Sequence, residues 1–155
     1  MIARISGTLR ELTDAAVLVD TGDGCWYEVL VAASDGERLQ RHIGQETVLH
    51  TIQFIEGDPA HGVQSPRLIG FVNEPDRRFF QRFTKVKGIG FRKALRALVR
   101  PVAEVAAAIQ AKDARFLVSL PEIGKRTAEQ IIAELHGKVD EFAGPAPAEG
   151  ASAEL

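Results

Sequence analysis

The sequence predicts an α+β protein of more than one domain, a small closed five-stranded β-barrel over residues 1–72 followed by an all-α domain over residues 73–142. Three observations carry that prediction. Turn-forming residues cut the first 72 residues into five short strand-like runs. After residue 73 the spacing of apolar residues changes from two to three and four, and the helical part then repeats itself at an offset of 34 residues.

In chain order, strands are expected at residues 2–9, 15–20, 25–31, 46–55 and 67–72. Thr21, Gly22, Asp23 and Gly24 supply one turn, and Ser34, Asp35 and Gly36 another. In the fourth strand Val48, His50, Ile52 and Phe54 recur with period two and share a face. Five strands in about 70 residues, with one longer break near residues 34–45, suit a barrel of the OB type. The Gly- and Pro-containing stretch 56–66 is expected to project as a loop before the last strand.

The helical part opens at Asn73, a capping residue type, with Pro75 in the first turn. Phe79, Phe80 and Phe83 then form a core-facing stripe. Further helices are expected at 91–99, 101–110, 113–119 and 125–136. Residues 143–155, built from Ala, Gly, Pro, Ser and Glu with one terminal Leu, are expected to be disordered.

Composition narrows the function. With 19 Lys and Arg against 21 Asp and Glu the formal net charge is -2, which taken whole argues against a general polyanion binder. Its distribution reverses that reading. Residues 1–76 carry 5 basic and 12 acidic side chains, and residues 101–155 carry 5 and 9. Residues 77–100 carry 9 basic side chains and no acidic one, so a solvated helix face or a phosphate-binding surface is expected there. The single cysteine, Cys25, excludes an intramolecular disulfide framework and reads as an inert buried thiol. His42, His50, His61 and His136 lack metal-ligand spacing, and no cofactor is expected. No signal-peptide or membrane-spanning pattern occurs, so a cytoplasmic protein without membrane contact is expected.

The 34-residue repeat carries the chemistry. Val86-Lys87-Gly88-Ile89-Gly90-Phe91-Arg92-Lys93-Ala94 lies over Leu120-Pro121-Glu122-Ile123-Gly124-Lys125-Arg126-Thr127-Ala128. Each copy reads as helix, tight turn, helix. Such a turn aims N–H groups outward at the positive end of the second helix, an anion cradle suited to phosphate. Basic residues one to three positions later add charge-assisted contacts. Contacts of this kind read backbone rather than bases.

These hairpins are helix-hairpin-helix motifs. A β-barrel followed by two of them resembles the RuvA family of Holliday-junction-binding subunits, over about residues 1–142. Residues 1–7, residues 24–29 and Gly70-Phe71 match as well. The resemblance implies a non-catalytic homotetramer that holds a four-way DNA junction open and flat, in recombination and repair, for branch migration by a RuvB-type ATPase. Carried onto this sequence, the DNA contacts are Lys87, Gly88, Ile89, Gly90, Arg92 and Lys93 in the first hairpin. In the second they are Ile123, Gly124, Lys125, Arg126 and Thr127. An acidic pin that repels phosphates at the crossover would fall on Glu56 and Asp58.

Three features depart from the family. The 56–66 loop is longer, and Glu122 stands where the second hairpin has its first glycine. A carboxylate there should weaken phosphate binding by on the order of 1 kcal/mol. The family's C-terminal motor-docking domain has no counterpart in these residues, so coupling to a RuvB-type motor is the expectation they support least. Competing readings are a protein-interaction or generic duplex-binding module, and a glycosylase-like enzyme using Lys125 with Asp140 or Glu141. A nucleotide-driven motor is excluded, because no G-x-x-x-x-G-K-[ST] run occurs.

Overall fold

The computed structural model describes residues 1–143. Its strands are β1 (Arg4–Leu12), β2 (Ala16–Asp20), β3 (Trp26–Leu30), β4 (Glu46–Glu56) and β5 (Ser65–Phe71). They close into a barrel in the order β1-β2-β3-β5-β4, with β3 and β5 parallel and every other pair antiparallel. Period-two alternation fills its interior with Ile5, Leu9, Val17, Val19, Val29, Leu49 and Leu68. Gly70 is required by close approach. A Cβ there would lie 2.6 Å from Val29 Cγ1 and 3.2 Å from the Leu49 side chain.

The shared face of β4 points outward from the barrel. Its far half, Ile52 and Phe54, packs against the helices, while Val48 at the near end is exposed. Leu49, one residue out of phase with that face, fills the barrel instead. One expectation is corrected at Cys25, which is exposed rather than buried. It belongs to the turn before β3, where its N–H donates to Asp23 Oδ1 at 3.2 Å and its carbonyl accepts from Thr21. The turn geometry, not the strand, sets its exposure.

Between β3 and β4 the chain forms a 3₁₀ turn (Ala33–Asp35) and a short helix α1 (Gly36–Gln40) rather than an open break. Both are too short for a periodic signature, and Leu39 alone anchors α1 in the barrel core. The 3₁₀ turn is tied to the helical part, with Ser34 N–H donating to the Leu98 carbonyl at 2.9 Å. At its last residue, burial and the neighbouring Asp76 charge raise the Asp35 carboxyl from 3.8 to about 6, against a smaller opposing pull from Arg38. A raised acid takes up its proton in the folded state first. Its contribution to stability therefore falls as pH rises from about 4 to about 6, and the deficit persists at neutrality. Asp35→Asn is expected to raise the melting temperature at pH 7 and to leave it nearly unchanged at pH 4, as thermal denaturation at the two pH values will test.

The helices are α2 (Glu74–Phe83), α3 (Phe91–Ala97), α4 (Val102–Gln110), α5 (Ala114–Val118), α6 (Lys125–Leu135) and α7 (Asp140–Ala143). Asn73 occupies the N-cap of α2 without capping it, and its amide instead donates to Asp76 Oδ2 at 3.4 Å. Asp113 does cap α5, accepting from Phe116 N–H at 3.0 Å. Phe142 is buried against Phe79, so α7 closes the helical core. The expected tail begins at Ala143, the last residue of α7, and the rest of it lies outside the described residues.

One hydrophobic core runs from the barrel wall into the helices. Phe71 packs on Phe80 at 5.0 Å between ring centres, Phe80 meets Phe54 edge-on at 6.4 Å, and Phe54 stacks on Phe91 at 4.9 Å. The aromatic chain ends at the first residue of α3. The hairpin that precedes α3 is thereby fixed relative to the barrel.

Candidate nucleic-acid interface

The two repeats adopt one backbone design. Ile89 N–H donates to Val86 O at 3.1 Å, and Ile123 N–H donates to Leu120 O at 3.3 Å. Gly90 (φ −81°, ψ 170°) and Gly124 (φ −87°, ψ 176°) stand at the N-caps of α3 and α6. Ala94 and Ala128 then close the first helical turns onto those glycines at 3.0 and 2.9 Å. Val86, Ile89, Leu120 and Ile123 are buried, so apolar side chains plug each hairpin into the core. The N–H groups of Ile89 and Ile123 are spent inside their own turns. Neither α3 nor α6 carries a side-chain cap or an acidic residue in its first turn. Their leading N–H groups are left for an external acceptor.

The repeats differ at one backbone position. Gly88 takes φ 88°, and its counterpart Glu122 takes φ 64°. Glycine adopts this left-handed region freely, whereas a glutamate there carries a steric cost of about 1 kcal/mol. The Glu122 carboxylate accepts from Arg96 Nε at 2.8 Å, and that bond, more than any other influence, holds it below its ordinary range. The second hairpin's glutamate is thus neutralised by the helix of the first hairpin.

The basic block is largely paired. All six of its arginines meet carboxylates that lie outside it: Arg77 and Arg78 with Glu74, Arg78 and Arg82 with Glu141, Arg92 with Glu56, Arg96 with Glu122, and Arg100 with Glu104. Its three lysines, Lys85, Lys87 and Lys93, have no carboxylate within 4.0 Å among the described residues, and neither do Lys125 and Arg126. Unpaired positive charge therefore sits at the hairpins rather than along the whole block.

Lys87 and Gly88 from the first hairpin and Arg126, Thr127 and Gln130 from the second helix line one open cleft. Lys93 reaches back to the Gly88 carbonyl at 3.3 Å, and Lys125 is exposed beside Gly124. Gln130 lies outside the residues that the motif singles out, although its place one turn after Arg126 is legible in the helical period. Glu134 is a second residue that the motif does not reveal. It accepts from Lys87 N–H at 3.3 Å and from Gln130, tying the first hairpin to α6.

The acidic pair splits. Glu56, the last residue of β4, accepts two hydrogen bonds from Arg92 (2.6 and 3.0 Å) and one from Arg67 (3.1 Å). The Arg92 bond foremost, then Arg67, lowers its carboxyl from 4.5 to about 2 against a desolvation penalty. Asp58 lies in the 57–64 loop, more exposed, accepting from Ala60 N–H at 2.8 Å and hydrogen-bonded to His61 at 2.7 Å. Among the described residues no group of three or more His, Cys, Asp or Glu could hold a metal ion.

A closed five-stranded barrel fused to tandem helix-hairpin-helix repeats, with unpaired cations converging where the hairpins meet, defines a class of proteins built to hold a polyanion by its backbone. Comparison with known proteins makes the class specific. The RuvA N terminal domain family matches residues 1–61, and the SAM-like helix-hairpin-helix tandem family matches residues 80–136. The Holliday junction branch migration complex subunit RuvA of Rhodopirellula baltica is 44% identical over 143 residues, which cover 92% of this chain and 69% of that protein. The subunit of the same name from Burkholderia mallei is 41% identical over 146 residues, 94% of this chain and 72% of that protein. The one from Methylibium petroleiphilum is 38% identical over 160 residues, 100% and 79%. The chain belongs to the RuvA family.

Proposed function

We propose that this chain binds four-way DNA junctions through their phosphates, without sequence preference, as a non-catalytic subunit supporting branch migration by an ATP-driven partner. The observation that carries the reading is the cleft where Lys87 and Gly88 of one hairpin meet Arg126 and Thr127 of the other. With Lys93 and Lys125 beside it, the cleft offers charge and backbone donors to adjacent phosphates. Gly88, Gly90 and Gly124 allow close approach of the strand. Ile89 and Ile123 contribute as buried anchors of the turns. Arg92 stands apart from these residues, because a carboxylate already engages it.

The family resemblance adds a homotetramer, a RuvB-type motor as the partner and a cytoplasmic location. The change from strand-like to helical spacing divides the chain into a barrel unit at 1–72 and a hairpin unit at 73–142. For the acidic pin, the exposure of Asp58 favours it over Glu56, whose carboxylate is engaged by two arginines. No described helix is long and apolar enough to cross a membrane. The glycosylase reading gains no support, since the groove lined by Asp140 is shared with Lys85 and Lys138 and not with Lys125.

The test is a gel-shift comparison of a four-way junction with linear duplex across a salt series, with native mass for the tetramer. Tighter junction binding that falls steeply with salt is expected. Equal affinity for the two DNAs at moderate salt overturns the junction reading. Glu122→Gly removes a left-handed glutamate and frees Arg96 in one step. It is expected to tighten junction binding several-fold and to change stability by no more than about 1 kcal/mol, because relieved backbone strain offsets the missing exposed ion pair.

A further inference from the structure

Arg92 already holds an anion in the DNA-free protein. Its Nε and Nη2 donate to Glu56 Oε2 at 2.6 Å and to Oε1 at 3.0 Å. This two-bond edge of the guanidinium is the one that best matches a phosphate. Glu56 Oε1 also accepts from Arg67 Nε at 3.1 Å, and Arg67 Nη1 lies 3.5 Å from Glu28 Oε1. Four side chains from β3, β5, β4 and α3 thus form one charge chain across the seam between barrel and hairpin.

The sharing of Glu56 decides what the chain can do. Removing one partner from an isolated ion pair strands the other charge. Here the departure of Arg92 leaves Glu56 still bonded to Arg67 on the neighbouring strand, so release is inexpensive. Glu122 has no second arginine in its pair with Arg96, and that pair lacks this property among the described residues. Resting on the junction reading above, we propose that Glu56 is a positioning residue that sequesters Arg92 in the DNA-free protein and hands it to a DNA phosphate on binding, while Arg67 keeps Glu56 seated in the barrel.

The experiment measures four-way-junction affinity by fluorescence anisotropy over a salt series for wild type, Glu56→Gln, Arg92→Gln, Arg67→Gln and the Glu56→Gln/Arg92→Gln and Glu56→Gln/Arg67→Gln pairs. Thermal melting reports the fold of each. Glu56→Gln is expected to tighten binding roughly two- to fivefold, the scale of one half-exposed ion pair, without changing the salt slope. Arg92→Gln is expected to flatten the slope by about 0.9, one phosphate contact, in the wild-type and Glu56→Gln backgrounds alike. Arg67→Gln is expected to weaken binding although it touches no DNA, and Glu56→Gln is expected to suppress that weakening. A merely structural Arg67 would not show that rescue.

A permanent clasp gives a different pattern, in which Arg92→Gln leaves the wild-type slope unchanged and only Glu56→Gln steepens it. That result, or Glu56→Gln binding no tighter than wild type, overturns the hand-over. If wild type itself does not prefer the junction, the functional reading fails and the hand-over fails with it. A junction preference with Glu56→Gln unchanged sinks the hand-over alone.

Discussion

The Lys125→Glu/Arg126→Glu protein is expected to bind a four-way junction about 100-fold more weakly, or worse, at moderate salt while melting close to wild type. Both side chains are exposed, neither has a carboxylate within 4.0 Å among the described residues, and Arg126 lines the cleft shared by the two hairpins. Each charge-assisted hydrogen bond to a phosphate contributes about 1.5 kcal/mol or more, so removing two costs on the order of 3 kcal/mol, or about two decades. Reversal of charge adds repulsion on top. Because nothing in the fold leans on these charges, stability should move by less than about 0.5 kcal/mol. Anisotropy titration together with thermal melting checks both halves, and retained affinity would place the phosphates elsewhere on the surface.

Phe80→Ala is expected to be the most damaging single substitution for stability, by about 3–5 kcal/mol. The ring is fully buried and stands between Phe71 of the barrel and Phe54. Its removal opens a cavity at the seam rather than inside either half. The barrel keeps its own interior of Ile5, Leu9, Val17, Val19, Val29 and Leu49, so denaturant unfolding should become less cooperative as well as easier. An unchanged single transition with a destabilisation below about 1 kcal/mol would mean that the two halves do not depend on this ring.

Much of the architecture is legible in the sequence because its causes are local. Turn chemistry and period-two alternation bound the strands, and the 34-residue repeat sets the hairpins, whose backbone angles at Gly90 and Gly124 agree to within a few degrees. What stays hidden depends on partners distant in sequence. Arg92 finds Glu56 36 positions away and Arg78 finds Glu141 63 positions away, so a block that reads as nine free charges is mostly neutralised once folded. The outward face of β4 is hidden for a related reason. Period two fixes which residues share a side, but only the docked helices decide which side is covered. Cys25 departs from its expected burial because a hydrogen-bonded turn extends one residue further than the apolar run suggests.

The division of labour within the basic block has a mechanical consequence. In the DNA-free protein its six arginines are each paired with a carboxylate, and its three lysines have none within 4.0 Å among the described residues. A guanidinium fork locks onto one phosphate in one orientation, whereas an ammonium on a four-carbon stem passes from phosphate to phosphate with little angular preference. On the proposed function, a DNA backbone sliding across Lys87, Lys93 and Lys125 would meet little angular resistance, and Arg126 would be the one unpaired fork at the cleft among the described residues.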